Sequence, residues 1–167
     1  MKRLVASALV ITLLAPTVAF ALDAKGAAYF GGTAGFKDAK DPVEGLLDTK
    51  SEAALIFRAS DKPFAGQTLS IPYAKIIDLE YGQKAGRRVG AAIGYSVLLG
   101  PLGLLTLFSK KRKHYLTVGF KDADDKDQVA VLELGKDIVR ATLPIVETRS
   151  GKKVEYQDDE ARKSANK

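Results

Sequence analysis

Three stretches of this chain carry residue types that could do chemistry. The turn Asp122-Ala123-Asp124-Asp125-Lys126-Asp127 sets acids at a calcium-loop spacing, with Asp122 first, Asp124 third and Glu133 twelfth. Lys126 falls where a fifth-position ligand belongs, and Asp127 replaces the glycine needed for the bend. Glu133 sits in a strand pattern, so the stretch reads as a solvated hairpin turn and no metal is expected. His114 is the sole histidine and opens a strand directly after a basic run. As a general base it requires an orienting carboxylate and a nearby nucleophile, and the sequence cues neither. A surface histidine beside lipid headgroups is the preferred reading. Asp78, Glu80 and His114 are the ingredients a hydrolase or transferase site would draw on. Gly31-Gly32-Thr33-Ala34-Gly35 has the glycine content of a phosphate loop, but no Gly-Lys-Ser/Thr follows and no helix opens there. With no cysteine in 167 residues, disulfides, thiolate metal sites and cysteine nucleophiles are excluded together. No catalytic residue and no cofactor is expected.

The elements that would position these residues are mostly strand-sized. Ala27 to Thr33 and Val43 to Leu47 read as strands around a turn-rich connection. Ala53 to Ala59 alternates, with Leu55, Phe57 and Ala59 opposite Arg58; Leu69, Ile71 and Tyr73 share a face that Thr68 and Ser70 avoid. Ile77, Leu79 and Tyr81 alternate with Asp78 and Glu80, Leu116, Val118 and Phe120 alternate again, and Gln128 to Leu134 follows the acidic turn. Seven short strands predict a meander, either a barrel or a packed pair of sheets. After Gly135, a stripe of Ile138, Val139, Thr142, Leu143 and Val146 predicts a helix over 136–148. Pro144 predicts a kink or two short turns, and Gly151 a stop. Beyond Tyr156 the tail is charged and small, and disorder is expected there.

Seven strands and a closing helix resemble the bacterial PH-like and GRAM-like domains. The unit from Thr68 to Tyr81, a strand, the Pro72 step and a second strand, is similar to theirs. So is the last hairpin, His114 to Phe120 with Gln128 to Leu134, leading into a helix. The resemblance covers about 27–149. It implies a binding or adaptor module, often at membranes, with no catalytic residues to carry over. The expected fold is mainly β with one C-terminal helix: a PH-like seven-strand barrel or sandwich interrupted by a hydrophobic helical hairpin.

That interruption, the insertion at 85–109, is the most informative segment. Val89 to Phe108 is twenty residues without a charge, bounded by Arg87 and Arg88 on one side and Lys110, Lys111, Arg112 and Lys113 on the other. Its length suits a transmembrane helix. A single span, however, would part the first five strands from the last two across ~30 Å of hydrocarbon, where no sheet can hydrogen-bond. Leu98-Leu99-Gly100-Pro101-Leu102-Gly103 offers a place to turn back. A hairpin dipping into one leaflet is therefore preferred over a span or a pair of helices packed on the sheet in water. Val89, Ile93, Val97, Leu98, Leu99, Leu102, Leu104, Leu105, Leu107 and Phe108 would insert. At about −0.3 to −0.6 kcal/mol each they supply roughly −3 to −6 kcal/mol. The six flanking cations would contact headgroups at up to about 1 kcal/mol each. Gly86, Gly90 and Gly94 form a helix-packing groove for the second arm, another copy or a membrane-protein partner.

At the N-terminus, Lys2 and Arg3, the apolar run Leu4 to Leu14, Pro16 and Ala19-Phe20-Ala21 read as a signal peptide over 1–21, with an uncleaved anchor as the alternative. Removing Lys2 and Arg3 leaves 26 − 2 = 24 basic residues against 20 acidic, a mature charge of +4. The basic run lacks aromatic interleaving, so no nucleic acid is expected. The chain reads as an exported protein with a non-catalytic domain over 22–149 at the periplasmic or extracytoplasmic face of a membrane. Its expected partner is an anionic phospholipid surface. The alternatives are an envelope hydrolase or transferase and a subunit of a larger membrane complex.

Overall fold

The fold is taken from a computed structural model, which describes residues 25–36, 38–83 and 113–166. The expected signal peptide, 1–21, and the apolar segment 85–109 lie outside the described residues. Among the described residues there are eight strands: β1 (Lys25–Gly32), β2 (Val43–Asp48), β3 (Ala54–Ala59), β4 (Thr68–Pro72), β5 (Ile76–Gly82), β6 (His114–Lys121), β7 (Asp127–Leu134) and β8 (Val154–Tyr156). The described residues also form two helices, α1 (Lys136–Ser150) and α2 (Asp159–Ala165), after the last long strand. The protein is mainly β.

Alternation places the core. Leu55, Phe57 and Ala59 of β3, Leu69 and Ile71 of β4, and Leu116, Val118 and Phe120 of β6 are all buried in one cluster. They share it with Ile138, Val139, Leu143 and Val146 of α1, so the helix stripe and one sheet face meet as the 3.6 and 2.0 periods require. A smaller cluster of Tyr115, Val129 and Val131, with Phe30 packed on it, lies on the opposite face.

The strands form one sheet in the order β4-β3-β2-β1-β7-β6-β5-β8. Every pairing is antiparallel except β5 with β8. The expected barrel or sandwich is corrected here: the sheet is open. A ring would need β4 to reach the outer edge of β5, and β8 already holds that edge, pairing Leu79↔Val154, Glu80↔Glu155 and Tyr81↔Tyr156.

Three local expectations change. The disordered tail is instead ordered through β8 and α2, because Val154, Ala161 and Ala165 are buried and Asp158 caps α2 by accepting from the Ala161 amide at 2.7 Å. Among the described residues there are thus two helices rather than one. In β5 the core residue is Ile76, not Ile77, since a bulge between Ile76 and Asp78 shifts the alternation by one. Finally, α1 runs unbroken through Pro144, whose ring is exposed, so the carbonyl it deprives of a partner can turn to water. Gly151 ends α1 at φ +69°, the left-handed cap anticipated from its type.

Candidate functional site

The insertion leaves β5 after Gly82 and returns at Lys113, and the residues at this root form the candidate site. Of the residues expected to contact headgroups, only Lys113 is described. Arg87, Arg88, Lys110, Lys111 and Arg112 lie outside the described residues, as do the groove glycines Gly86, Gly90 and Gly94. So do the residues expected to insert, Val89, Ile93, Val97, Leu98, Leu99, Leu102, Leu104, Leu105, Leu107 and Phe108. Lys113 is half-buried. Its Nζ donates to Glu133 Oε2 at 2.8 Å and sits 6.0 Å from the centre of the Phe30 ring. Phe30 in turn meets Tyr115 edge-on at 4.9 Å. The first cation of the root is therefore tied to the sheet by a charge and by a ring face.

His114 follows, and strand parity decides where it points. It shares a face with Leu116, Val118 and Phe120, toward the core, and its Nδ1 lies 2.6 Å from Tyr81 Oη. The two rings are near-parallel, 15° apart. Tyr81 is fully buried, and its hydroxyl also lies 3.3 Å from Ser164 Oγ of α2. Ser164 Oγ donates to the Ala161 carbonyl at 2.8 Å. With the Ser164 proton used there, the Tyr81 hydroxyl donates to Ser164 and accepts from His114 Nδ1–H. Each hydroxyl then donates once and accepts once. This assigns the tautomer from the hydrogen-bond network and leaves the Nε2 lone pair unprotonated. Burial pushes the His114 pKa down, Lys136 adds to that, and Glu133 opposes it. Burial likewise raises Tyr81. The relay joins the insertion root to the C-terminal helix, and no composition signal pointed to it.

Asp78 and Glu80 stand on the opposite face. Burial raises the Asp78 pKa, the Gly119 amide pulls it back, and Glu155, Glu80 and Asp127 raise it further. Gly119 is required here because a Cβ would collide with Asp78 Oδ1. Glu80 is buried. The three ingredients of the alternative hydrolase or transferase site are therefore not brought together. The sheet separates His114 from the two acids, and no base–nucleophile pair of the kind acyl or phosphoryl transfer needs is formed among them.

The acidic turn is a hairpin. Asp122 accepts from the amides of Asp124 and Lys126, both at 2.9 Å, and from Gln128 Nε2 at 2.7 Å. Its carboxylate is spent on holding the bend, and backbone donors depress its pKa. Among the described residues no three acids or histidines are grouped to hold a metal. Gly31 and Gly32 end β1, and Thr33 bonds Val129 through both its amide and its hydroxyl, so the glycine-rich stretch is a strand-end turn. No protein-family model matches the chain, and no curated protein matches it. No helix among the described residues is long and apolar enough to cross a membrane.

Proposed function

We propose that this chain is a non-catalytic PH-like module of the cell envelope, exported and held at an anionic phospholipid surface by residues 89–108, where it binds or scaffolds. Seven antiparallel strands in the order β4-β3-β2-β1-β7-β6-β5, followed by α1, support the PH-like part. One observation carries the choice of a hairpin over a span: β5 and β6 are hydrogen-bonded neighbours from Ile76↔Phe120 to Gly82↔Tyr115. Both ends of the insertion therefore emerge from the domain about one strand spacing, ~5 Å, apart. A single crossing would tear this pairing across the bilayer, whereas a segment that turns back in one leaflet leaves it intact. Vesicle co-sedimentation tests the reading. The mature chain should pellet with vesicles containing phosphatidylglycerol, and a variant with 89–108 replaced by a short Gly/Ser turn should remain in the supernatant, folded. Equal pelleting of both proteins, or of neither, would refute it.

A second reading has its own observation. Tyr115, Thr117, Val129 and Val131 are buried on the face that no buried residue of α1 or α2 joins. In that reading residues 89–108 cover this face in water, and the module binds its ligand without a bilayer. The Gly/Ser replacement separates the two, because it would then expose the face and aggregate.

A further inference from the structure

Building on the membrane reading above, we infer that the end of the domain along which α1 runs is its bilayer-facing surface, with Lys136 and Arg140 as headgroup contacts that the sequence did not single out. The strand register carries the first part. Leu134, the last residue of β7, pairs with Ala27 on one side and His114 on the other, and Gly82 pairs with Tyr115. The chain thus departs at residues 25, 83 and 113 from strands β1, β5 and β6, which lie within three strand spacings, about 15 Å. A domain held by the segment leaving at 83 and 113 presents this end to the membrane.

The course of α1 carries the second part. It starts where the Gly135 amide donates to the Gly26 carbonyl at 3.3 Å and where Lys136 acts on His114. It finishes where Arg149 donates to the carbonyls of Thr49 and Ser51, in the connection from β2 to β3. The helix therefore runs along the strand ends from which the chain departs. Lys136 and Arg140 are exposed one turn apart on its outer side. Asp137, also exposed, lies beside Lys136 in the first turn and offsets one of these charges. Helix α2 carries both signs and adds no net charge to this surface.

Charge agrees with the orientation. Residues 84–113 hold seven cations, Lys84, Arg87, Arg88, Lys110, Lys111, Arg112 and Lys113, and no acid. The loops at the other strand ends, 33–42, 60–67 and 122–127, carry seven acids, Asp38, Asp41, Asp61, Asp122, Asp124, Asp125 and Asp127, against four lysines. An anionic surface attracts the first end and repels the second.

The native chain has no cysteine, so single labels are specific. The mature chain carries bimane at Arg140→Cys, Asp124→Cys or Gly100→Cys, and is mixed with phosphatidylglycerol/phosphatidylcholine vesicles bearing a headgroup nitroxide. Quenching at positions 100 and 140 with little at 124 is the expected result. Quenching at 100 with 124 equal to or above 140, or with neither quenched, would overturn the orientation and leave the anchor standing. No quenching at 100 would overturn the anchor and the orientation with it. Charge reversal gives a second readout. K136E and R140E should each weaken vesicle binding about thirtyfold, the equivalent of about 1 kcal/mol for the cation lost and about 1 kcal/mol for the anion gained. K62E and K126E, on the far loops, should leave it unchanged. Equal effects of the two pairs would also overturn the assignment.

Discussion

Replacing Tyr81 with Phe removes one oxygen from a fully buried position and probes the relay that ties α2 to the insertion root. The hydroxyl lies 2.6 Å from His114 Nδ1 and 3.3 Å from Ser164 Oγ. A typical net hydrogen bond contributes about 0.5–1.5 kcal/mol, and a buried partner left unpaired costs about 1–3 kcal/mol. His114 is half-buried and can rehydrate, which places Y81F near the lower end, about 1–2 kcal/mol. For a domain of this size that lowers Tm by roughly 2–8 °C. Ser164→Ala should cost less, since its bond to Tyr81 is the longer one. The double variant should fall short of the sum of the two by about 0.5 kcal/mol or more, because both changes break one network. Urea denaturation of the four proteins measures this. An unchanged Y81F midpoint, or strict additivity, would refute the relay and the docking of α2 with it.

Four further outcomes follow. The folded-state pKa of His114 is depressed, so its contribution to stability is present above its unfolded value near 6.5 and lost as pH falls through the folded value. His114→Asn should flatten that part of the urea-midpoint profile. Asp78 has the opposite sign: its raised pKa means that ionisation costs stability at neutral pH, so Asp78→Asn should raise the urea midpoint at pH 7 and lose that gain below about pH 4. An equal effect at both pH values would contradict the burial argument. Removing residues 158–167 should cost roughly 1–3 kcal/mol, from the buried methyls of Ala161 and Ala165 and the Ser164 bond, less the ordering entropy recovered; an unchanged denaturation midpoint would show that the tail does not dock. Leu116→Ala, at a fully buried position between β5 and β7, should cost about 2–5 kcal/mol, and a loss under 1 kcal/mol would misplace the core.

The strands were legible because one face of each is buried and the period of two survives in the sequence. Leu55-Ile56-Phe57-Arg58-Ala59 and His114 to Phe120 show it plainly. The bulge at Ile76/Asp78 was not legible, since Ile76 and Ile77 are chemically identical and only the pairing with Phe120 and Gly119 decides which turns inward. Strand β8 and helix α2 were missed for a physical reason. Two apolar residues in β8 and two alanines in α2 give almost no periodic signal, and their burial depends on β5, which lies more than seventy residues earlier. The parity that puts His114 on the core face and Asp78 and Glu80 on the other was present in the alternation. Applied consistently, it places His114 and the two acids on opposite faces of the sheet. The Tyr81–His114–Ser164 relay was beyond reach, because nothing in the spacing of those residues reports their contact.

The most direct measurement of the central claim is the sidedness of the insertion. Single cysteines at Lys84 and Lys110, in the cysteine-free chain, are treated in intact cells with a thiol reagent that cannot cross membranes. A cysteine at Gly100 is treated in the same way. Because β5 and β6 pair up to Gly82↔Tyr115, positions 84 and 110 should both react from the non-cytoplasmic side, while position 100 is protected until detergent is added. Labelling of 84 and 110 from opposite sides would contradict the account, and so would a position 100 that reacts freely without detergent.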